Sequence, residues 1–181
     1  MNFQSTEIDG LILITPKVFK DPRGFFLESY SDRTFRNAGI TTVFVQDNHS
    51  RSEPVGVLRG LHFQKPPFAQ TKLIRVIQGA IYDVAVDLRK NSPTFGKWQG
   101  FELTSTNFNM LLVPQGFAHG FCTIVPGTEV QYKVDNFYSP EHDSGIIWND
   151  PDLNIPWPVT EPVLSAKDTV LPFFKELISP F

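Results

Sequence analysis

The stretch Arg59-Gly60-Leu61-His62-Phe63-Gln64, with Lys72 and Arg75 a few residues on, sets a side chain that titrates near neutrality beside permanent cations. The run is apolar and strand-like, and charge in such a setting needs a partner or a ligand, because burying it unpaired is expensive. The chemistry open to these residue types is proton removal next to a stabilised anion. An imidazole takes a proton from a carbon acid, and a nearby cation meets the negative charge that develops. We read the stretch as the floor of an active site. The competing reading is a core histidine held by one hydrogen bond, with the cations on a solvated face.

Other polar tips lie among apolar residues. Pro114-Gln115-Gly116-Phe117-Ala118-His119-Gly120-Phe121 reads as a tight turn that delivers a second histidine, His119, into an apolar strand. Tyr132 falls between Val130 and Val134 on one strand face, where its hydroxyl wants a partner. His49, in the polar run Asp47 to Ser52, reads more simply as a turn residue. Cys122 is the only cysteine, so no intrachain disulfide can form; it reads as a small core residue in a protein of a reducing compartment.

These candidates need a scaffold. Fifteen prolines, twelve glycines and seventeen phenylalanines in 181 residues indicate many short extended segments joined by tight turns, with little helix. Strands are expected at Leu11 to Thr15 and Phe25 to Tyr30, forming a hairpin-like entry across Lys20-Asp21-Pro22-Arg23-Gly24. Further strands are expected at Thr41 to Gln46, Val57 to Gln64, Thr71 to Ile77, Ala80 to Leu88, Phe101 to Leu103, Asn109 to Val113 and Glu129 to Val134. Ser31-Asp32 followed by Arg33 to Ala38 and Gly39 has the capping residues of one short helix. The tail from Thr169 to Phe181 reads as a short helix covering the sheet. Alternation places Lys72 on the face of Ile74 and Val76, pointing inward. Arg59 and His62, three residues apart, would face opposite sides of a regular strand, so a bulge or strand end must intervene if both line one site.

The expected class is mainly β: one domain over residues 1–181, a double-sheet jelly roll or barrel with a few short helices and a ligand pocket at its mouth. A net charge of −3 with both signs interspersed argues against nucleic-acid and membrane-surface partners. No apolar stretch approaches the roughly 20 residues that cross a bilayer. The start has neither a basic nor an apolar segment of a signal peptide. We expect a soluble, cytoplasmic protein.

Gly60 to Gly79 and Pro114 to His119 resemble the two motifs of the cupin superfamily. Metal-binding cupins supply His-x-His and a glutamate from the first and a histidine from the second. Here Gln64 stands where the second histidine would be, and Lys72 and Arg75 occupy a segment with no carboxylate. Two cations and too few ligands argue against a metal.

A closer resemblance runs from about Phe19 to Asp168. It is carried by Asp21-Pro22-Arg23-Gly24-Phe25-Phe26, Gln46-Asp47-Asn48-His49-Ser50, Arg59 to Gln64, Gly116 to Phe121, Tyr138-Ser139-Pro140-Glu141-His142 and Leu164-Ser165-Ala166-Lys167-Asp168. Together these are similar to the dTDP-4-dehydrorhamnose 3,5-epimerase family. The resemblance implies a homodimeric cupin that uses no metal or organic cofactor and acts on dTDP-4-dehydro-6-deoxy-D-glucose. By the same resemblance His62 matches the base, Asp168 its orienting carboxylate, Lys72 the enolate stabiliser and Tyr132 the proton donor. Arg23, Glu28, Gln46, Asn48, Arg59, His119 and Lys167 match positions that hold nucleotide and sugar, Arg23 and Glu28 reaching in from the neighbouring subunit. Phe19, Phe26 and Tyr138 are candidates to stack on the thymine. Asp143 departs from the family's usual glutamate, which bears on that contact and on the choice of sugar. Three alternatives stay open: an epimerase acting at C3 or C5 alone, a non-catalytic sugar-nucleotide binding cupin, and a metal-dependent cupin enzyme.

Overall fold

The structure is a computed structural model describing residues 1–181. It is mainly β, with 41% strand and 5% helix. In chain order the elements are β1 (Asn2–Ser5), β2 (Ile12–Thr15), β3 (Val18–Asp21), β4 (Gly24–Leu27), α1 (Asp32–Asn37), β5 (Gln46–Ser52) and β6 (Leu58–Gln64). Then follow β7 (Lys72–Gln78), β8 (Ala80–Asp87), β9 (Trp98–Thr104), β10 (Met110–Val113), β11 (Phe117–Thr123), β12 (Thr128–Val134) and β13 (Asp143–Gly145). A six-stranded sheet has the order β1-β2-β10-β7-β12-β5 and a five-stranded sheet the order β13-β6-β11-β8-β9. All their pairings are antiparallel. This is the cupin jelly roll.

The period-2 alternation of the strands explains the layers. Ile74, Val76, Leu111, Val113 and Val130 of one sheet meet Ile81, Ala85, Leu103, Phe117 and Phe121 of the other in a buried inner core. The opposite faces are covered as well. Val84, Val86 and Leu88 pack outward under Ile146, Leu153, Trp157, Phe174, Leu177 and Phe181, so the C-terminal segment roofs the five-stranded sheet. It does so with a single 3-10 turn, Phe174–Glu176, in place of the expected helix. On the other sheet, Leu73, Met110 and Leu112 pack against Phe35 of α1. That helix starts where expected, Ser31 accepting a hydrogen bond from the Thr34 amide, and Gly39 follows its end at a φ of 85°.

Two strand expectations are corrected. The Lys20 to Gly24 turn does make a hairpin, but its arms are β3 and β4, ending at Leu27; Ile12–Thr15 pairs with β1 and β10 instead. Thr41 to Val45 is not a strand, whereas the polar run Asp47 to Ser52, expected as a loop with His49 as a turn residue, continues from Gln46 as one strand that pairs along its whole length with β12. The side chains of Gln46, Asn48, Ser50 and Ser52 face in and those of Asp47, His49 and Arg51 face out. Both faces are polar because the inner one borders a polar cavity, so the usual apolar alternation is missing. Val43 and Val45, by contrast, are exposed β-branched residues that report surface fit, not pairing.

One carboxylate is purely structural. Asp87, fully buried at the end of β8, accepts hydrogen bonds from the Arg89 amide and guanidinium, Ser92 Oγ and Thr94 Oγ1, at 2.6 to 2.9 Å. Burial disfavours its charge, but the bonds from Arg89, Ser92 and Thr94 outweigh that and hold its pKa at about 2. Against the unfolded value this contributes roughly 2 kcal/mol. Because the folded pKa is depressed, the contribution is complete above about pH 4 and is lost as pH falls through about 2. Replacing Asp87 with Ala also strands its three donors, so urea unfolding at pH 7 should show a loss of about 3 kcal/mol. That difference should shrink as the pH is lowered toward 2.

Candidate active site

His62 and Arg59 reach one cavity because β6 carries the bulge that their spacing requires. In the pairing of β6 with β11, His62 is opposite His119 and Arg59 opposite Phe121, so Gly60 and Leu61 together face the single residue Gly120. Gly60 holds a φ of 132°, and a Cβ there would sit 2.5 Å from the Gly120 Cα. Only glycine permits that approach.

The cavity lies between the two sheets and has a volume of about 400 Å³. From the five-stranded sheet it is lined by Arg59, His62 and His119, and from the six-stranded sheet by Lys72 and Tyr132, with Ser50 beside them; Asp168 closes it from the C-terminal segment. His62 Nε2 donates to Asp168 Oδ1 at 2.5 Å, which leaves Nδ1 as the ring nitrogen with a free lone pair. Asp168 is 2% exposed and also accepts from Ser165 Oγ at 2.8 Å. Burial works against its ionisation, but the hydrogen bonds from His62 and Ser165 outweigh it and keep the carboxyl below its ordinary range.

Lys72 points inward as its parity requires. Its Nζ is 3.5 Å from the His62 carbonyl oxygen, a loose contact that leaves donors for a ligand. Burial is the main influence on its pKa and lowers it to about 8; the charges of Asp143 and Asp83 oppose that shift and Lys167 reinforces it. Tyr132 has its pKa raised by burial first, with Arg59 pulling down and Asp143 adding to the rise, so the phenol keeps its proton through the neutral range. The arrangement therefore sets an oriented imidazole, an ammonium and a neutral phenol around one space.

Not every candidate converges there. Arg75 does not: it lies on the opposite face of β7, beside Leu73, Gln131 and Lys133, because residues 72 and 75 have opposite parity. Gln46 and Asn48 share the inward side of β5 with Ser50 and hydrogen-bond each other at 2.9 Å. Tyr138, Asp143 and Lys167 form a separate cluster next to Asp168, the Tyr138 hydroxyl and the Lys167 ammonium both donating to Asp143 Oδ2. The Asp143 hydrogen bond, more than burial, raises the Tyr138 pKa. Arg23 and Glu28 lie outside the cavity. Arg23 is an exposed side chain bonded only to Asp21, and Glu28 accepts from Thr34. Phe19 and Phe26 are exposed beside Arg23 on the same hairpin.

Residues the sequence reading passed over are Ser165, which holds Asp168, and Asp83, whose carboxylate bonds His119 inside the core. Asp83 shares its strand face with Ala85 and is fully buried, so its inward parity was the available signal. No group of three or more His, Cys, Asp or Glu side chains comes together, and Gln64 ties Phe68, Phe137 and Ser139 where a second cupin-type histidine would stand.

A family model described as dTDP-4-dehydrorhamnose 3,5-epimerase matches residues 5–176. The chain belongs to the dTDP-4-dehydrorhamnose 3,5-epimerase family. It is 53% identical over 169 residues to the dTDP-4-dehydrorhamnose 3,5-epimerase of Shigella flexneri, covering 93% of each chain. The crystal structure of the family member from Bacillus anthracis, with TDP and PPi bound, is 58% identical, with a TM-score of 0.93 over 95% of this chain and 98% of that one. The one from Legionella pneumophila, in complex with dTDP-4-keto-L-rhamnose, is 45% identical, with a TM-score of 0.92 over 98% of this chain and 94% of that one. Like these relatives of the dTDP-4-dehydrorhamnose 3,5-epimerase family, the chain is an epimerase. None of its helices is long and apolar enough to cross a membrane.

Proposed function

We propose that this epimerase inverts C3 and C5 of dTDP-4-dehydro-6-deoxy-D-glucose, giving dTDP-4-dehydro-L-rhamnose. The observation that carries the reading is the convergence of His62, Lys72 and Tyr132 on one cavity, from three strands in two sheets. The C–H bonds beside a C4 ketone are weakly acidic, and their proton can leave only if base and anion stabiliser act together. His62 Nδ1 takes the proton, and Asp168 stabilises the imidazolium as it forms. The Lys72 ammonium meets the charge that moves onto the C4 oxygen. Tyr132 returns a proton from the opposite face, which inverts the centre.

The cavity accommodates the sugar end of a nucleotide sugar, being near the lower bound of ligand pockets at roughly 300 to 1,000 Å³. Arg59 at its rim suits the diphosphate. Arg23, Phe19 and Phe26 form an exposed cation and aromatic set whose partners in their own chain are all local, Asp21 for Arg23 and Lys17 over the Phe19 ring. We infer that the hairpin serves the cavity of a second subunit in a homodimer, with Glu28, while Tyr138, Asp143 and Lys167 hold the nucleotide at the mouth.

Incubating the 4-keto sugar nucleotide with enzyme in D2O should place deuterium at both C3 and C5, read by NMR. Folded protein that labels neither carbon overturns the reading, and labelling with inversion at one carbon only replaces it with a single-site epimerase. Turnover should also fall above about pH 8 as Lys72 loses its proton. A rate that holds steady to pH 10 removes the ammonium from the mechanism.

A further inference from the structure

We propose that Asp83 is a positioning residue of this site, acting on the substrate through the ring of His119. Both Asp83 oxygens lie 3.0 Å from His119 Nε2, which donates to the carboxylate. These are the only hydrogen bonds the Asp83 side chain makes, and it is fully buried.

The buried carboxylates away from the cavity show what a structural aspartate looks like here. Asp87 gathers donors from Arg89, Ser92 and Thr94, and Asp150 accepts from the amides of Asp152, Leu153 and Phe174; each ties a turn or a distant segment in place. Asp83 ties no backbone at all. It sits mid-strand on β8, on the inner face between Ile81 and Ala85, where an apolar side chain would pack without the desolvation penalty of a carboxylate. What it does is hold one imidazole. With Nε2 committed to Asp83, Nδ1 is the only polar atom the His119 ring can offer the cavity it lines.

His119 is also the cross-strand neighbour of His62, so two histidine–aspartate pairs stand side by side at the floor of the cavity. They differ in access. Asp168 belongs to the cavity wall, whereas Asp83 lies behind it and reaches substrate only through its partner. Its charge extends further, since Asp83 is one of the two carboxylates that favour the protonated form of Lys72. The charged and titratable groups around Lys72 are Asp83, Asp143 and Lys167, with His62, Arg59, His119, Tyr132 and Asp168 across the cavity.

The assignment rests on the epimerase reading wherever turnover is the readout, so one readout is independent of it. In the wild-type protein, 15N NMR of the His119 ring should show Nε2 protonated; an Nε2 without its proton overturns the proposal whatever the enzyme does. In Asp83→Asn, which keeps the volume and one acceptor oxygen but not the charge, kcat for deuterium uptake should fall on the order of 10- to 100-fold, by analogy with the loss of a carboxylate that orients a metal-bound histidine. Affinity for dTDP should stay within a few fold. The alkaline fall in activity should move to lower pH, because Lys72 has lost one of the charges that keep it protonated. A folded Asp83→Asn enzyme with unchanged kcat and an unchanged pH profile overturns the proposal. If the wild-type enzyme takes up no deuterium, the epimerase reading fails first, and the ring tautomer alone decides the role of Asp83.

Discussion

Replacing His62 with Ala should lower the rate of deuterium uptake from D2O into the 4-keto sugar by on the order of 10³-fold, at both C3 and C5. Two of the other cavity groups are poor substitutes: Lys72 is protonated below about pH 8, and the pKa of Tyr132 is raised. His119 also keeps an open Nδ1, but its ring is held by Asp83 at its own place on β11 and not at that of His62. Binding of dTDP should be nearly unchanged, since the imidazole is placed for the sugar carbons and the nucleotide is gripped elsewhere. The substitution leaves Asp168 with Ser165 as its remaining hydrogen-bond partner, so a modest loss of thermal stability is expected and is measured alongside. Exchange that persists at more than a tenth of the wild-type rate would mean that the abstracted proton goes to another group.

The second expectation separates proton removal from inversion. In Tyr132→Phe the base and the ammonium remain, so the proton still leaves, but the face opposite His62 has lost its acid. Formation of inverted product should drop by about 10²- to 10⁴-fold, the usual worth of a positioned acid. Solvent deuterium should nevertheless enter the recovered starting sugar, because an enolate reprotonated by His62 returns with its configuration retained. Mass spectrometry of unreacted substrate, beside NMR of product, reads both quantities from one sample. Equal loss of exchange and inversion would show that Tyr132 assists proton removal itself. Full inversion would assign the acid role elsewhere. Phe keeps the ring that packs against the inner core, so the substitution should change stability little.

How much of this was legible in the chain depends on how local each signal is. Side-chain parity put Lys72 with Ile74 and Val76, and Tyr132 with Val130 and Val134, and the structure places Ile74, Val76 and Val130 in the inner core and buries Val134 as well. Parity also demanded a bulge between Arg59 and His62, and Gly60 supplies it. The same argument should have excluded Arg75, which stands an odd number of residues from Lys72 and ends on the outer face. The polar strand β5 was misread because apolar alternation marks a strand only where its inner face meets an apolar core, and here that face meets the cavity.

Turn chemistry, strand periodicity and helix capping are properties of a few neighbouring residues, and the chain alone was enough to show a β protein with inward-facing polar tips. Partner choice is different in kind. Whether Gly24–Leu27 pairs with Val18–Asp21 or Ile12–Thr15, and whether Asp168 meets His62 from 106 positions further along the chain, depends on packing summed over both sheets. So does the burial of Asp83 behind His119, which no local pattern marks as different from the structural Asp87 four residues on. Only the closed barrel brings these groups within hydrogen-bond distance, because only there are the competing pairings excluded by the volume of the core.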